Sequence, residues 1–448
     1  MKTQLLVMLV LAASTTLSQT IPQQEWNAYN SVVEAGFSEQ RLATAKSYYD
    51  SINFGAALVI HRGAVVASWG ENTRRFMLAS MRKSLMNAMI GRAIDEGRFD
   101  LQTTLSELDI NDKTSLTNTE RSATIEHLLT TTSGIYLPSA FEYQGWKDRK
   151  PERGSHQPGE MWYYNNWDFN ALCAIYNQTT GKDFFEAFQN EVADPIGMQD
   201  LRDIDGLYYY EPESEHPAYL LKMSSRDLGR FGLLYLNKGH WNNQQLVPAS
   251  WVAASTQSQV TAFENQGYGY LWWPREISGH AAYSARGAGR HTLTVIPDMD
   301  LVMVVRTNDY SGRPLQGREN EQLEELIVNA ATEKVARKPR LLPMTWKQTK
   351  APKVVPGLPI NPDIVGEYQH PIFGLMTVEW NDSKLTLLGK PARFNMISTG
   401  NYFYFIEDAG LTTTFIETDD PNLIGKILMK RLDGKHVLVF HYSSKKSH

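Results

Sequence analysis

The chain of 448 residues contains a single cysteine, Cys173, so it has no internal disulfide framework and no site built on several cysteines. Neither charge sign dominates: 44 Lys and Arg stand against 49 Asp and Glu, and a net charge of −5 does not predict a nucleic-acid partner. Common motifs are missing as well, including Gly-x-Ser-x-Gly, His-Glu-x-x-His, Cys-x-x-Cys and the phosphate-binding loop. The remaining composition, 42% hydrophobic and 21% charged, is that of a globular protein.

Long apolar runs are absent except near the beginning of the sequence. Residues 1–4 include one lysine, residues 5–13 are continuously apolar, and residues 14–18 are mostly small and polar. This pattern predicts a secretory signal peptide over residues 1–18, cleaved after Ser18, and the alternative is a buried N-terminal helix. We therefore expect a secreted or periplasmic protein with no stable membrane insertion after cleavage.

A proline-rich basic segment divides the sequence. Residues 337–353 contain six basic residues and no acidic one, and six prolines lie between Pro339 and Pro362. Because proline is excluded from helix interiors and central strands, we predict an extended linker over residues 337–362. Helix and strand patterns alternate over residues 19–336. Short strands alone follow over residues 363–448, which predicts a small antiparallel β-domain.

Several local patterns place secondary structure in the first domain. Residues 57–60 and 64–67 flank a turn and predict a hairpin. Residues 80–97 have helical apolar spacing and end at a glycine, and Ser224 is positioned to cap another helix. Two strands are predicted within residues 293–305, on either side of a Pro-Asp turn. Cys173 falls in a further helical pattern, where it is expected to be buried and inert.

Ser80 and Lys83 stand at the start of a predicted helix with the spacing Ser-x-x-Lys. Residues three apart share a helix face, so the hydroxyl and the amine can meet. An amine whose pKa is lowered by burial can accept the hydroxyl proton, and the helix N-terminus favours the developing anion. The spacing alone does not decide, because Ser443 and Lys446 repeat it in the C-terminal tail.

A second element, Tyr164-x-Asn166, follows about eighty residues later. A phenol beside an ammonium can be held as phenolate and act as a general base, while a nearby amide orients the lysine and the substrate. The alternative is an aromatic cluster that packs a loop. A third element contains Gly287 and Ala288, where a glycine allows close backbone approach and an N–H can face an oxyanion. Here the alternative is a simple turn into a strand.

These three elements, in this order and spacing, resemble the serine β-lactamase and penicillin-binding-protein superfamily, in particular its class C-like branch. The resemblance covers about residues 30–330 and includes residues 124–134, which are similar to the His-Leu-Leu-Thr-x-Thr-Ser-Gly segment of that branch. Residues 366–371 and 374–378 are similar to an appended lipocalin-like β-domain. The resemblance implies an α/β fold, in which an antiparallel sheet flanked by helices accompanies an all-helical part, followed by a small antiparallel β-barrel-like domain.

The resemblance also implies roles for individual residues. Ser80 would be the nucleophile, Lys83 and Tyr164 the proton-handling pair, and Asn166 the residue that orients them. The backbone N–H groups of Ser80 and Ala288 would form the oxyanion hole. An acyl-enzyme would then be hydrolysed by a water that Tyr164 activates, with no metal or organic cofactor.

One departure from the family pattern concerns the substrate. Lactamases and D-alanyl peptidases usually carry Lys-Thr/Ser-Gly, or His in place of Lys, where this chain has Ala285, Arg286 and Gly287. Strand alternation turns Arg286 away from the face that Ala285 and Gly287 share. Without a fixed cation to hold a carboxylate, these positions favour a small neutral ester or amide as substrate. Arg290 and His291 are a second departure, to which the sequence assigns no consequence.

Aromatic residues near the motifs are candidates for lining the substrate cleft, with core packing as the alternative for each. They are Trp162 and Tyr163 first, and also Tyr143, Trp146, Trp167 and Tyr208 to Tyr210. The function that the sequence favours is a secreted esterase or amidase. The alternatives are a class C-like β-lactamase or D-alanyl-D-alanine carboxypeptidase, and a catalytically silent binding protein, which would be marked by loss of Ser80, Lys83 or Tyr164.

Overall fold

The computed structural model describes most of the chain between residues 21 and 444. The described residues are 21–22, 25–202, 205–263, 266–308, 315, 317–332, 334–346, 364–370, 374–381, 384–389, 392–400, 403–406, 411–417, 424–431 and 437–444. The predicted signal peptide and residues 347–362 of the predicted linker lie outside them.

The first part of the chain forms three strands of a large sheet. Its elements are β1 (Asn27–Tyr29), α1 (Glu39–Ser51), β2 (Phe54–His61) and β3 (Ala64–Gly70). The predicted hairpin is therefore confirmed as β2 and β3, paired antiparallel. Every residue of β2 is buried, because alternate side chains enter two different cores: Leu58 and Ile60 enter one, and Ala57 and Val59 enter the other.

The middle of the chain is mainly helical. Its helices are α2 (Arg82–Asp95), α3 (Asn118–Arg121), α4 (Ile125–Leu129), α5 (Gln144–Lys147), α6 (Asn166–Thr180), α7 (Phe184–Phe188), α8 (Ser225–Leu236) and α9 (Ala249–Ser255). Its strands are β4 (Phe76–Met77), β5 (Gly206–Tyr209), β6 (Ala218–Met223), β7 (His240–Trp241), β8 (Gln244–Gln245), β9 (Val260–Thr261) and β10 (Gly267–Tyr268). Ser224 caps α8 as predicted, and Cys173 is buried on α6. Within the described part of the chain, no helix combines the length and apolarity needed to cross a bilayer.

The chain then returns to complete the sheet. The elements are β11 (Trp273–Ile277), β12 (His280–Gly287), β13 (His291–Ile296), β14 (Leu301–Thr307), α10 (Glu319–Ala330) and β15 (Leu341–Pro343). The eight strands follow the order β11-β12-β13-β14-β2-β3-β1-β15, and all neighbours are antiparallel except β1 and β3. Helices α1 and α10 cover one face and α8 the other, so the expected α/β architecture is confirmed.

The C-terminal strands form a second antiparallel structure. They are β16 (Gly366–His370), β17 (Gly374–Asn381), β18 (Lys384–Gly389), β19 (Ala392–Gly400), β20 (Phe403–Ile406), β21 (Leu411–Glu417), β22 (Ile424–Arg431) and β23 (Val437–Ser444). Each strand pairs with its neighbours in the chain, and β23 returns to β16, which closes a barrel. This agrees with a small antiparallel β-domain, while its lipocalin-like character stays a prediction.

The structure differs from the predicted linker over residues 341–346. Strand β15 pairs with β1 at the edge of the sheet, and the N–H of Met344 donates to the carbonyl of Trp26 at 2.7 Å. Trp346 is buried, with its ring packed edge-on against Trp26 at 6.0 Å between ring centroids. Proline excludes a central strand but is compatible with an edge strand, which explains why Pro343 can end β15.

The packing of Trp346 yields a test of this boundary. Trp346→Ala should lower the free energy of unfolding of the sheet-containing part by about 3 kcal/mol, because it empties a buried aromatic site. Leu342→Ala is the matched control, since Leu342 is 38% exposed on the same segment and should change stability by less than about 1 kcal/mol. Denaturant unfolding in the full chain measures both values. If neither substitution changed the free energy of unfolding, residues 341–346 would be a free linker.

Candidate active site

Ser80 lies in a single 3-10 turn, Ala79–Met81, that leads directly into α2. Ala79 has φ 48°, a left-handed conformation that costs a residue with a side chain about 1–3 kcal/mol. The carbonyl of Ala79 accepts a hydrogen bond from Arg82 Nη1 at 2.8 Å, and Met81 is completely buried beneath the turn. The turn is therefore held in a strained conformation that leaves Ser80 partly exposed.

Lys83 brings the predicted residues together. Its Nζ lies 3.3 Å from Ser80 Oγ, 2.8 Å from Tyr164 Oη and 3.1 Å from Asn166 Oδ1. The Ser-x-x-Lys and Tyr-x-Asn elements are thus one site, although they are separated by about eighty residues in the sequence. Among the described residues, no carboxylate lies within 4 Å of Lys83 Nζ, so the amine contacts only neutral polar groups and rings.

Burial strongly affects the charge of Lys83. The side chain is 2% exposed, and its Nζ lies 3.7 Å from the centroid of the Phe169 ring. Desolvation, followed by the charge of Arg82, lowers the pKa of Lys83 well below its ordinary value. A larger fraction of the amine is therefore neutral than in water, which makes it a proton acceptor for the Ser80 hydroxyl.

Tyr164 differs from the prediction in its resting charge. Burial raises the pKa of Tyr164 to about 12, although a hydrogen bond from Ser80 and the charge of Arg82 act in the opposite direction. The phenol is therefore protonated at neutral pH in the free protein and is not held as a phenolate. The physical reason is that the same burial disfavours the Lys83 ammonium that would have stabilised a phenolate.

A hydrogen bond of its side-chain amide orients Asn166. Its Nδ2 donates to the carbonyl of Phe141 at 2.7 Å, which leaves Oδ1 facing Lys83. Phe141 itself has φ 59°, so its carbonyl points in a direction that the ordinary backbone regions do not provide. Asn165 precedes it as the N-cap of α6 and accepts from the N–H of Trp167 at 3.2 Å.

Thr131 is a positioning residue that the sequence analysis did not single out. Its Oγ1 accepts from the N–H of Asn165 at 3.0 Å and donates to the carbonyl of Tyr163. Its carbonyl accepts from the N–H of Tyr163 at 3.1 Å, and its φ is 54°. Three hydrogen bonds therefore hold the segment that carries Tyr164. The available signal was the Thr-Thr-Ser-Gly sequence within residues 124–134.

Asp168 supports the same segment from α6. Its Oδ1 accepts from Ser133 Oγ at 2.6 Å and from Asn165 Nδ2 at 2.9 Å. Complete burial raises the pKa of Asp168 well above its ordinary value, although the hydrogen bonds from Ser133 and Asn165 act in the opposite direction. Asp168 therefore fixes the side chain of Asn165, and burial disfavours a negative charge at this position.

Strand β12 approaches the nucleophile turn through Gly287. A Cβ at this position would lie 2.6 Å from the carbonyl oxygen of Leu78 and 3.2 Å from Met81 Cγ, so only glycine fits. The sequence predicted that the backbone at this glycine approaches a ligand closely. In the structure, the backbone of Gly287 instead approaches the turn that carries Ser80. Ala288 follows in an exposed turn, and its N–H as an oxyanion donor stays a prediction.

The two faces of β12 are separated as strand alternation predicts. Its pairing with β13 runs without a shift from Tyr283 to Gly287, so no bulge redirects Arg286. Arg286 lies over the Trp273 ring at 5.5 Å and 4.0 Å from Glu321 of α10 on the opposite face. Ala285 is completely buried in the core, so its side chain is a packing contact and not part of an exposed cleft surface.

His291 and Arg290 have separate roles. The buried His291 accepts through Nδ1 from Arg306 Nε at 3.2 Å and from the N–H of Thr307 at 3.1 Å, which ties β13 to β14. Arg290 is exposed in the turn between β12 and β13, with φ 69°. The second departure from the family pattern is therefore structural at His291.

The aromatic candidates divide into two groups. Trp162 and Trp146 pack beside Tyr164, with ring centroids 6.2 and 5.3 Å away. Tyr163 is buried and donates to the carbonyl of Trp146 at 2.7 Å, so it positions that tryptophan and does not line the site. Trp167 donates to Asp112 at 2.7 Å within the core.

A Ser–Lys–Tyr site between helix α2 and strand β12 of the large sheet is characteristic of the penicillin-binding and β-lactamase class of proteins. The Beta-lactamase family model matches residues 49–326, which is more than half of the chain, and the protein belongs to this family. A curated relative from Alkalihalophilus pseudofirmus, itself uncharacterised, is 22% identical and covers 57% of this chain and 84% of its own length.

Solved structures with the same fold come from several organisms. A Bacillus anthracis protein provisionally named 6-aminohexanoate-dimer hydrolase is 21% identical, with a TM-score of 0.50, over 63% of this chain and 80% of that protein. An octameric penicillin-binding-protein homologue from Pyrococcus abyssi is 16% identical, with a TM-score of 0.50, over 89% and 99% of the two chains. These likenesses establish the fold.

Thr131 offers a test of how the site is held. Thr131→Val keeps the shape of the side chain but leaves two buried backbone groups without their partner, which should lower the free energy of unfolding by about 1–3 kcal/mol. Thr119→Val is the matched control on the exposed surface of α3 and should have almost no effect. Thermal and denaturant unfolding measure both. Equal stability of the two variants would show that Thr131 does not hold the Tyr164 segment.

Proposed function

We propose that the protein is a serine hydrolase that cleaves an ester or amide bond through an acyl-enzyme on Ser80. The observation that carries the proposal is the contact of one buried amine, Lys83 Nζ, with Ser80, Tyr164 and Asn166. A hydroxyl beside a neutral amine at a helix N-terminus is the arrangement that nucleophilic catalysis requires.

Acylation begins when Ser80 Oγ attacks the substrate carbonyl carbon and its proton passes to Lys83 Nζ. The carbonyl oxygen becomes an oxyanion, which accepts hydrogen bonds from the backbone N–H groups of Ser80 and Ala288. The intermediate collapses when the bond to the alcohol or amine breaks. The leaving group takes a proton that Tyr164 delivers and Lys83 replaces, which is feasible because Lys83 Nζ lies 2.8 Å from Tyr164 Oη.

Deacylation uses the same groups in reverse. A water molecule attacks the acyl carbon, and its proton passes through Tyr164 to Lys83. The second tetrahedral intermediate releases the acid, and Ser80 Oγ regains its proton. Asn166 keeps Lys83 in line with both partners throughout, because Phe141 fixes the orientation of its amide. These steps use protein groups and water alone.

We further propose an uncharged substrate. Gly287 is the residue of β12 that meets the nucleophile turn, and Ala285 on the same face is buried in the core, so this face brings no fixed charge to Ser80. Trp146, Trp162, Phe263 and Trp273 pack together beside Tyr164, and Phe263 is 46% exposed. These rings offer an apolar surface to the acyl or leaving group.

A location outside the cytoplasm is proposed on the sequence of residues 1–18 alone. Their basic start, apolar middle and small polar end are the pattern of a cleaved secretory signal. N-terminal sequencing of the protein from its native host tests this proposal, with Gln19 expected as the first residue. An intact Met1 in the mature protein would contradict it.

The nucleophile assignment predicts selective acylation. A fluorophosphonate probe should label Ser80 alone, and Ser80→Ala should abolish labelling, whereas Ser443→Ala, in the repeated Ser-x-x-Lys spacing, should not affect it. Lys83→Ala and Tyr164→Phe should each lower ester turnover by at least roughly 100-fold, because each removes a proton-transfer partner from the transition state. Peptide mass mapping and steady-state kinetics provide the readout. An unlabelled wild-type protein would favour a silent binding function.

The proposed substrate class predicts the order of two activities. A charge-assisted hydrogen bond contributes about 1.5–3 kcal/mol. The absence of a fixed cation should therefore lower the binding affinity for carboxylate-bearing lactams by roughly ten- to a hundredfold. Short-chain p-nitrophenyl esters should therefore have a higher kcat/KM than nitrocefin. The comparison should be made on the same preparation, with Ser80→Ala as the blank. A higher kcat/KM for nitrocefin would identify a β-lactamase instead.

A further inference from the structure

Arg82 is a buried cation without an acidic partner. Its side chain is 2% exposed, and no carboxylate among the described residues forms an ion pair with it. Its Nη1 donates to the carbonyl of Ala79, while its Nε has no hydrogen-bond partner. The guanidinium carbon lies 5.0 Å from the centroid of the Tyr219 ring and 5.9 Å from that of Phe141.

Two other arginines with little-exposed side chains have carboxylate partners. The buried Arg75 pairs with Asp205 at 3.0 Å, and the buried Arg275 pairs with Glu324. Burying a guanidinium without a carboxylate is energetically costly, and contact with aromatic faces offsets only part of that cost. A methionine or leucine would fill the same space without the cost, so packing alone does not account for a cation here.

Arg82 connects with the site at two points. Its hydrogen bond holds the carbonyl of Ala79, the strained residue immediately before Ser80. Arg82 is also adjacent to Lys83 in the sequence. Its positive charge lowers the pKa of the Lys83 amine, although burial lowers that pKa more. One side chain therefore affects both the shape of the nucleophile turn and the charge of the residue that accepts its proton.

We propose that Arg82 is a positioning residue for acylation: its guanidinium, buried without a carboxylate, holds the Ala79 carbonyl beside Ser80 and favours the neutral form of the neighbouring Lys83 amine, which accepts the Ser80 proton. This inference rests on the proposed serine hydrolase function and adds a residue that acts through Ser80 and Lys83 without contacting the substrate.

Burial disfavours the charged form of the other ionisable groups around Lys83. Tyr164 has a pKa of about 12, and Asp168 on α6 has a pKa well above its ordinary value. Burial also raises the pKa values of Cys173 on α6 and of Tyr219 on β6. In the described part of the chain, Arg82 is the group whose charge lowers the pKa of Lys83.

The test measures the acylation rate of Ser80 as a function of pH, with a p-nitrophenyl ester in rapid-mixing experiments. Acylation needs unprotonated Lys83, so the rate rises as pH increases through the Lys83 pKa and then reaches a plateau. Arg82→Gln removes the charge and should move this acidic limb to higher pH by about one unit. At a given pH on the limb, the acylation rate should therefore fall about tenfold. The plateau should also fall, because the amide holds Ala79 less well.

Two further variants separate the causes. Arg82→Lys keeps the charge, so the acidic limb should stay near its wild-type position while the plateau falls. Arg92→Gln is the matched control, because Arg92 lies on the same helix but pairs with Glu191 at 3.0 Å. This substitution should leave the pH profile unchanged. Circular dichroism and thermal unfolding establish that each variant is folded.

The outcomes distinguish the two proposals. If the wild-type protein does not acylate Ser80, both the hydrolase function and the role of Arg82 are refuted. If the wild-type protein acylates normally and Arg82→Gln is folded with an unmoved acidic limb, the role of Arg82 alone is refuted. If Arg82→Gln does not fold, Arg82→Lys decides: a lowered plateau with the limb in place supports the role, and a wild-type profile overturns it.

Discussion

The arrangement of the site depends on keeping the Lys83 amine buried without a carboxylate. The amine contacts a hydroxyl, a phenol, an amide oxygen and two aromatic rings, and it lies beside a second cation. A carboxylate at this point would stabilise the ammonium and remove the base. The surrounding residues fit this requirement, because burial raises the pKa of Asp168 well above its ordinary value and Arg82 has no ion-pair partner among the described residues.

Strained backbone surrounds this amine. Ala79, Thr131 and Phe141 all have φ between 48° and 59°, and each lies next to a functional group. Ala79 precedes Ser80, Thr131 holds the Tyr164 segment, and Phe141 orients Asn166. Such conformations persist only when neighbouring contacts over-determine them, and here the hydrogen bonds of these residues supply those contacts. The strain fixes the directions of three carbonyl groups that ordinary helix or strand geometry would not provide.

The sheet connects the site with the rest of the fold. Strand β12 separates two environments: Ala285 and Gly287 face the nucleophile turn, while Arg286 faces α10. The unshifted register between β12 and β13 maintains that separation, and His291 secures the neighbouring pair β13 and β14. The substrate preference proposed for this protein follows from that register, because a one-residue slip would bring Arg286 to the other face.

The sequence by itself determined the elements with strong local signals: the β2–β3 hairpin, the Ser224 cap, the α2 helix, and Ser80 three residues before Lys83. It also predicted the faces of β12, because strand alternation has a fixed period. Only the tertiary structure decided the pKa shifts of Lys83 and Tyr164, the support from Thr131 and Asp168, and the docking of residues 341–346. These features depend on burial and on contacts between segments far apart in the chain, and local periodicity contains no information about either.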